Sequence, residues 1–313
     1  RSWEKSSTVR SEIMMFRNFQ QVVDYATKLE TKDLIVANPE DRAIIIAIND
    51  AFLMGLIRPV LVGNKKKILD LLMELGISKS GYEIYNAKSK DDAAMMSVKL
   101  VSKQESSILM KGQLQSQMLL KYVQDEDYGL VKDEMLSHIG VLDIPNYHKL
   151  LFISDSDMHT LPNVEEKKQI LYNTYNFVTS LGIFKPKIAL ISAVESVNED
   201  IPSTVEAREI VEQLKDTDKW YIGGPFSVDV ALSHESADVK GITHVVAGDA
   251  DILIFPCVVS GNTFYKATTF LANTTAAGLV LGARNPIVLT SRADSYKSKL
   301  YSIALAVVST DIL

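Results

Sequence analysis

The residues of this chain best suited to chemistry on an anion are Ser291 and Arg292, with Asn262 and Lys266 upstream of them. Hydroxyl, amide, ammonium and guanidinium groups all donate hydrogen bonds, and a guanidinium can grip two oxygens at once. Both clusters stand where a strand pattern gives way to a helical one. Ile252–Pro256 precedes Ser260-Gly261-Asn262, which reads as turn and N-cap chemistry. Ile287–Leu289 precedes Thr290-Ser291-Arg292-Ala293-Asp294-Ser295. Amides at a helix start favour anions, and the carboxyl edge of an open α/β sheet is where ligands usually bind. A third candidate is Lys111-Gly112 at the end of the apolar run Ser107–Met110, where glycine lets the backbone approach a ligand. Taken singly, each has a plainer role: Ser291 as a helix cap, Arg292 and Lys111 as solvated surface residues.

Other chemistries find little support. The chain has no GxGxxG fingerprint, no GxxxxGK[ST] loop and no GxSxG elbow. Its five histidines, His138, His148, His159, His234 and His244, form no HxxxH pair, so spacing points to no zinc site. Asp155 and Asp157 flank a strand end, but two carboxylates are a thin basis for a divalent ion. The single cysteine, Cys257, permits no internal disulfide, fits a reducing compartment and reads as a small buried hydrophobe.

The elements that must hold these residues follow from apolar periodicity. Phe16, Phe19, Val22, Val23, Ala26 and Leu29 trace a helical stripe. Strands are expected at 34–37, 58–63, 82–85 and 107–110, with helices at 44–56, 66–75 and 91–103 between them. From about Ser137 the pattern resumes, with strands at 150–154, 188–193 and 221–225 and helices at 162–181 and 205–215. A short helix is expected at 237–240. The last stretch reads strand, Gly-Asn turn, helix, two strands, Ser-Arg turn and helix, ending in the stripe Tyr296, Leu300, Ile303 and Val307. Repeated strand–helix units imply a parallel or mostly parallel sheet.

A chain of 313 residues has room for two domains. With 47% hydrophobic and 23% charged residues it has the composition of a soluble globular protein. A formal charge of -6 argues against broad nucleic-acid binding, so an anionic substrate must meet a local cationic patch. No apolar run approaches the roughly 20 residues of a membrane span, and the polar start, Arg1–Arg10, is no signal peptide. A cytoplasmic location is expected, and residues 1–13 read as a leader added ahead of Met14 or Met15.

The wording of the late segment carries more than its chemistry. ADILIFP, SGNTFYK, NPIVLTSRADS and KLYSIALA, in that order, resemble the phosphate acetyltransferase and phosphate butyryltransferase family, with the butyryl branch the nearer. Earlier landmarks agree in order: Leu109-Met110-Lys111-Gly112, Leu136-Ser137-His138, Leu150–Asp155, Ala193-Val194-Glu195, and Gly224-Pro225 with Asp229. The resemblance implies two α/β domains with mostly parallel sheets and an interdomain cleft, similar to isocitrate and isopropylmalate dehydrogenases. It implies a first domain of residues 1–136 plus 279–313, a second of 137–278, and a homodimer.

The implied reaction is reversible transfer of a short acyl group, butanoyl first, between coenzyme A and inorganic phosphate. Coenzyme A is then a substrate, and no permanently bound cofactor, metal, nucleic acid or membrane is expected. The motifs put Ser291, Arg292 and Asp294 in catalytic roles. They put Lys111, Gly112, His138, Asp155, Gly261, Asn262, Tyr265, Lys266 and Thr290 at the substrates. Acetyl-type members carry an Asp seven residues after the motif Ser, to deprotonate the thiol; here that place holds Ser298, leaving Asp294 as a substitute base. Acetyl or branched chains remain alternatives to butanoyl. Two other readings stay open: a non-catalytic acyl-CoA sensor, and an NAD-dependent oxidative decarboxylase of similar architecture.

Overall fold

The computed structural model describes residues 16–131, 135–290 and 294–310. The chain begins with α1 (Phe19–Ala26), β1 (Lys32–Ala37), α2 (Arg42–Leu53), β2 (Ile57–Gly63), α3 (Lys65–Glu74) and β3 (Glu83–Asn86). α4 (Lys90–Val101), β4 (Ile108–Lys111) and α5 (Ser116–Val123) follow. Asn18, Asp41, Asn64 and Ser89 each accept a hydrogen bond from the amide three residues on, so four of these helices start where a polar side chain replaces a missing backbone partner. Next come β5 (Ser137–Asp143), β6 (Leu151–Ser154), α6 (Val164–Ser180), β7 (Lys187–Ile191), α7 (Pro202–Leu214) and β8 (Tyr221–Phe226). The chain continues through α8 (Val228–Leu232), α9 (His234–Val239), β9 (Ile252–Ile254) and α10 (Val258–Leu271). It closes with β10 (Thr275–Leu281), β11 (Ile287–Val288) and α11 (Tyr296–Thr310).

The strands make one sheet in the order β3-β2-β1-β4-β11-β10-β5-β6-β9-β7-β8. Most neighbours are parallel, as the strand–helix alternation requires. The exceptions lie in the middle: β10 runs antiparallel to β11 and to β5, and β5 antiparallel to β6. No helix lies between β5 and β6 or between β10 and β11, and such short links suit only antiparallel neighbours. The two parallel sets flanking this reversal therefore point in opposite directions. Their carboxyl ends, Lys111 on β4 and Ser154 on β6, approach the same middle strands from opposite sides.

Two details differ from the sequence reading. Ser260, Gly261 and Asn262 are not a turn before a helix; they lie within α10, which starts at Val258 with the extended Cys257 as its cap residue. Gly261 serves packing: a Cβ there would stand 2.6 Å from the Asp155 carbonyl oxygen, so only glycine lets α10 lie against the loop after β6. α5 carries no expectation from sequence, because its cap position, Gln115, makes no side-chain hydrogen bond and gives no start signal. The expected Ser-Arg turn and the leader at residues 1–13 lie outside the described residues.

At the amino ends of β6, β7 and β9 an ionic cluster ties the strands together. The buried Lys149 ammonium lies 2.7 Å from Asp251 and 2.8 Å from Asp249, while the Asp251 carboxylate also accepts the Lys187 amide at 2.7 Å. The Lys187 side chain donates to Asp249 as well. Burial alone would raise the pKa of Asp249, but the hydrogen bonds from Lys149 and Lys187 outweigh it and hold the carboxyl far below its ordinary range.

Two outcomes follow for stability. Lys149→Met leaves the buried Asp251 carboxylate without its ammonium and Asp249 with Lys187 alone, and is expected to cost about 3–5 kcal/mol in a urea titration; a loss below 1 kcal/mol would mean the cluster is ornamental. Because the Asp249 pKa is depressed by folding, its contribution is full above the unfolded value near 4 and declines as pH falls below it. Asp249→Asn should flatten that acid limb in thermal melts from pH 6 to pH 3.

Candidate active site

The site is built over a gap in the sheet. Gly278 on β10 and Gly140 on β5 are directly opposite each other in the antiparallel pair. Neither carries a side chain; Gly278 forms the cavity floor, while Gly140 makes room for Tyr265 and Ile153. A Cβ on Gly140 would be 3.2 Å from the Tyr265 ring and 2.9 Å from Ile153, which shows how closely α10 lies over β5. A Cβ on Gly278 would be 2.9 Å from His138 Nε2 and 3.2 Å from the Leu289 carbonyl oxygen. His138 is two residues before Gly140 and shares its face of the strand. Lys111 and Leu289 follow Met110 and Val288, the last pair between β4 and β11.

Above this floor lies a polar cavity of about 230 Å³. Of the residues expected at the substrates or in catalysis, Lys111, His138, Asn262, Tyr265, Lys266, Thr290 and Asp294 all line it. These come from four separate parts of the chain, so the fold assembles what the sequence scatters. Ser291 and Arg292 lie outside the described residues; their chain neighbours Thr290 and Asp294 are at the cavity wall.

Three expected residues stand behind the wall rather than in it. Gly112 packs under the β1–α2 loop, where a Cβ would meet the Asn38 carbonyl oxygen at 2.1 Å. Gly261 is the contact of α10 described above. Asp155 is buried and organises the β6–α6 loop, accepting the amides of His138 at 2.9 Å and of Asp157 and Met158 at 2.8 Å. Ser116, Ser156, Asp157, Gly278 and Leu289 complete the lining. Of these, only Asp157 drew notice in the sequence; Ser116 at the start of α5 and Ser156 beside Asp155 are ordinary polar residues until the fold places them.

The polar groups are held from behind. His138 Nδ1 is 3.1 Å from the Ser156 hydroxyl, and Asn262 donates its side-chain amide to the Ser156 carbonyl at 3.0 Å. The Lys266 ammonium lies 5.4 Å from the centre of the Tyr265 ring. Burial raises the Tyr265 pKa, and the charges of Asp294 and Asp157 add to it, so the phenol stays neutral. Deeper in, Lys299 on α11 is buried and donates to the Asp294 carbonyl at 2.6 Å. Burial lowers its pKa, against the opposing charges of Asp294 and Asp41. Buried lysines facing acidic neighbours make a wall that accepts anions without being strongly cationic overall.

Among the described residues no group of three or more His, Cys, Asp or Glu side chains gathers as metal ligands would, and no helix is long and apolar enough to cross a membrane. Cys257 is half-buried, with its sulfur 3.4 Å from the Ser260 hydroxyl. A second cavity, of about 500 Å³, lies between α6 and the β10–β11 turn. It is mainly apolar, and its arginine, Arg284, donates to the Gly129 carbonyl at 2.9 Å.

Known proteins resemble this chain in sequence and fold. The sequence profile described as "Phosphate acetyl/butaryl transferase" matches residues 18–128 and 91–307. The chain is 34% identical over 295 residues to the phosphate butyryltransferase of Clostridium acetobutylicum, covering 93% of this chain and 98% of the relative. It is 37% identical over 279 residues to the phosphate acetyltransferase of Thermotoga maritima, covering 88% and 95% respectively. A crystal structure of a branched-chain phosphotransacylase from Enterococcus faecalis V583 superposes with a TM-score of 0.82 at 27% identity, covering 90% of this chain and all of that one. The polar cavity at the sheet reversal thus stands in a protein of known lineage: the chain belongs to the phosphate acetyl/butyryl transferase family.

Proposed function

We propose that this protein catalyses reversible transfer of a short acyl group, butanoyl first, between coenzyme A and inorganic phosphate. The observation that carries the reading is the meeting, in one cavity, of Asn262, Tyr265 and Lys266 with Lys111, Thr290 and Asp294. Phosphate oxygen attacks the thioester carbonyl, or thiolate attacks the acyl phosphate. Either direction brings anions together and builds charge on the carbonyl oxygen, so fixed cationic donors lower the barrier by holding reactants and offsetting that charge. In this reading Lys111 and Lys266 bind phosphate oxygens, and Arg292 grips the phosphate or the developing oxyanion. Ser291 donates a hydrogen bond to the carbonyl oxygen or the leaving sulfur, and Asp294 at the cavity wall is the carboxylate candidate for the thiol's base, a place for which His138 competes. Coenzyme A enters as a substrate, with no permanently bound cofactor.

Further parts of the reading concern assembly. Residues 1–136 plus 279–313 form a first domain and 137–278 a second, with the cavity between them; the return of β11 to pair with β4 supports this division. The protein works as a homodimer in the cytoplasm. The stripe Val259, Thr263, Ala267, Phe270 and Leu271 on the outer face of α10 supports pairing: it holds no charged residue, and Val259, Phe270 and Leu271 are 68%, 75% and 85% exposed.

Two experiments test this. Release of free coenzyme A from acetyl-, propionyl-, butanoyl- and branched acyl-CoA is followed with and without phosphate. Phosphate-dependent release, fastest with butanoyl-CoA, is expected, and Arg292→Ala should lower it about 10²–10³-fold. Binding of acyl-CoA without release would favour a sensor, and near-normal turnover by the variant would remove Arg292 from the mechanism. For assembly, sedimentation should show a dimer that Phe270→Glu with Leu271→Glu converts to a monomer; an unchanged dimer would place the interface elsewhere.

A further inference from the structure

The acyl transfer proposed above needs a group that takes the proton of the coenzyme A thiol, and the position where acetyl-type relatives are expected to carry an acid holds Ser298. Ser298 is buried in the first turn of α11, where it takes up the Ser295 hydroxyl at 3.1 Å, so it is no base. One turn on, Ser302 accepts the Gly278 amide at 3.0 Å, and Gly278 in turn abuts the ring of His138. The helix that carries position 298 thus reaches the floor beside the imidazole through Ser302.

We propose that His138 Nε2 is the general base and acid of the reaction. The geometry prepares the ring for that task. Its backbone is fixed from both sides, with its amide donated to Asp155 and its carbonyl accepting the Ser154 hydroxyl at 2.8 Å. Nδ1 is 3.1 Å from the Ser156 hydroxyl, a contact either partner can donate; in the proposed tautomer Nδ1–H is the donor, which leaves the lone pair on Nε2. Among the described residues Nε2 makes no hydrogen bond, and it faces the space over Gly278. The ring lines the cavity together with Lys111, Asp157, Tyr265, Lys266 and Asp294, the charged and titratable groups that surround it along with Asp155 behind.

The step balances within the residues named. When coenzyme A attacks the acyl phosphate, Nε2 takes the S–H proton, the sulfur forms the C–S bond, and the C–O bond to phosphate breaks with its electron pair leaving on phosphate. The imidazolium then passes its proton to phosphate or water. In reverse, Nε2 is protonated from phosphate or water before the step; phosphate oxygen then forms the C–O bond, the C–S bond breaks with its electron pair leaving on sulfur, and the imidazolium gives that proton to the thiolate.

The inference rests on the transacylase reading, so wild-type phosphate-dependent release is measured first; its absence would overturn both. His138→Asn, which keeps a donor toward Ser156, and His138→Ala are then assayed from pH 5.5 to 9 with added imidazole, with thermal melts to verify folding. Loss of about 10²–10⁴-fold in kcat is expected. In the direction from coenzyme A and acyl phosphate the acid limb of the profile should disappear, in the release direction the alkaline limb, and imidazole should restore part of the activity of His138→Ala. If both folded variants keep wild-type turnover, or lose it with an unchanged pH profile and no rescue by imidazole, His138 is not the base. A small positioning effect would appear in Ser156→Ala as a lower kcat with the limb retained; a Ser156→Ala profile that lost the limb while His138→Asn kept it would equally overturn the assignment.

Discussion

The structure turns on one close approach: two glycines facing each other across an antiparallel pair in the middle of an otherwise mostly parallel sheet. Strand reversal brings the carboxyl ends of two oppositely directed parallel sets to the same place, and Gly278 with Gly140 leaves that place without side chains. A methyl group on Gly278 would meet His138 at 2.9 Å and the Leu289 carbonyl at 3.2 Å. Contacts that short require a neighbour to move, and the neighbours are a ring held at Nδ1 by Ser156 and a chain backbone. Gly278 leaves the cavity floor open, and Gly140 lets Tyr265 close down on β5 beside it.

Around the floor, each wall is fixed by something other than substrate. α10 can lie over β5 because Gly261 lets it touch the loop that Asp155 organises. β9, which leads into α10, follows directly on Asp251, and that residue is bound to Lys149 and to the start of β7. Packing on one side and an ionic cluster on the other thus set where Lys266 and Asn262 stand. Preorganised donors of this kind do not have to reorient as charge shifts during a reaction, which is where an enzyme gains most over water.

Much of this could be read from the chain before folding. Period-2 and period-3.6 patterns place most strands and helices, since each buries one face. The motif segments around Lys111, His138, Asn262 and Thr290 lead to residues that do line one cavity. Periodicity is blind to other features. It sees neither partner strand nor direction, so the reversal at β10 and β5 escapes it. It reads Ser260-Gly261-Asn262 as a turn, because a glycine placed for contact with a distant loop looks the same as one placed for a bend. Ser116 and Ser156 carry no spacing signal at all, being functional neighbours only through tertiary contact.

The most direct test of the account is a crystal structure of the protein with coenzyme A and inorganic phosphate bound together, a pair that cannot react without an acyl donor. The expected result is the thiol and the phosphate side by side over Gly278, the phosphate within hydrogen-bonding reach of Lys111 or Lys266 and the sulfur within reach of His138. Ligands bound elsewhere, with the space over Gly278 holding only solvent or closed by a side chain, would contradict it.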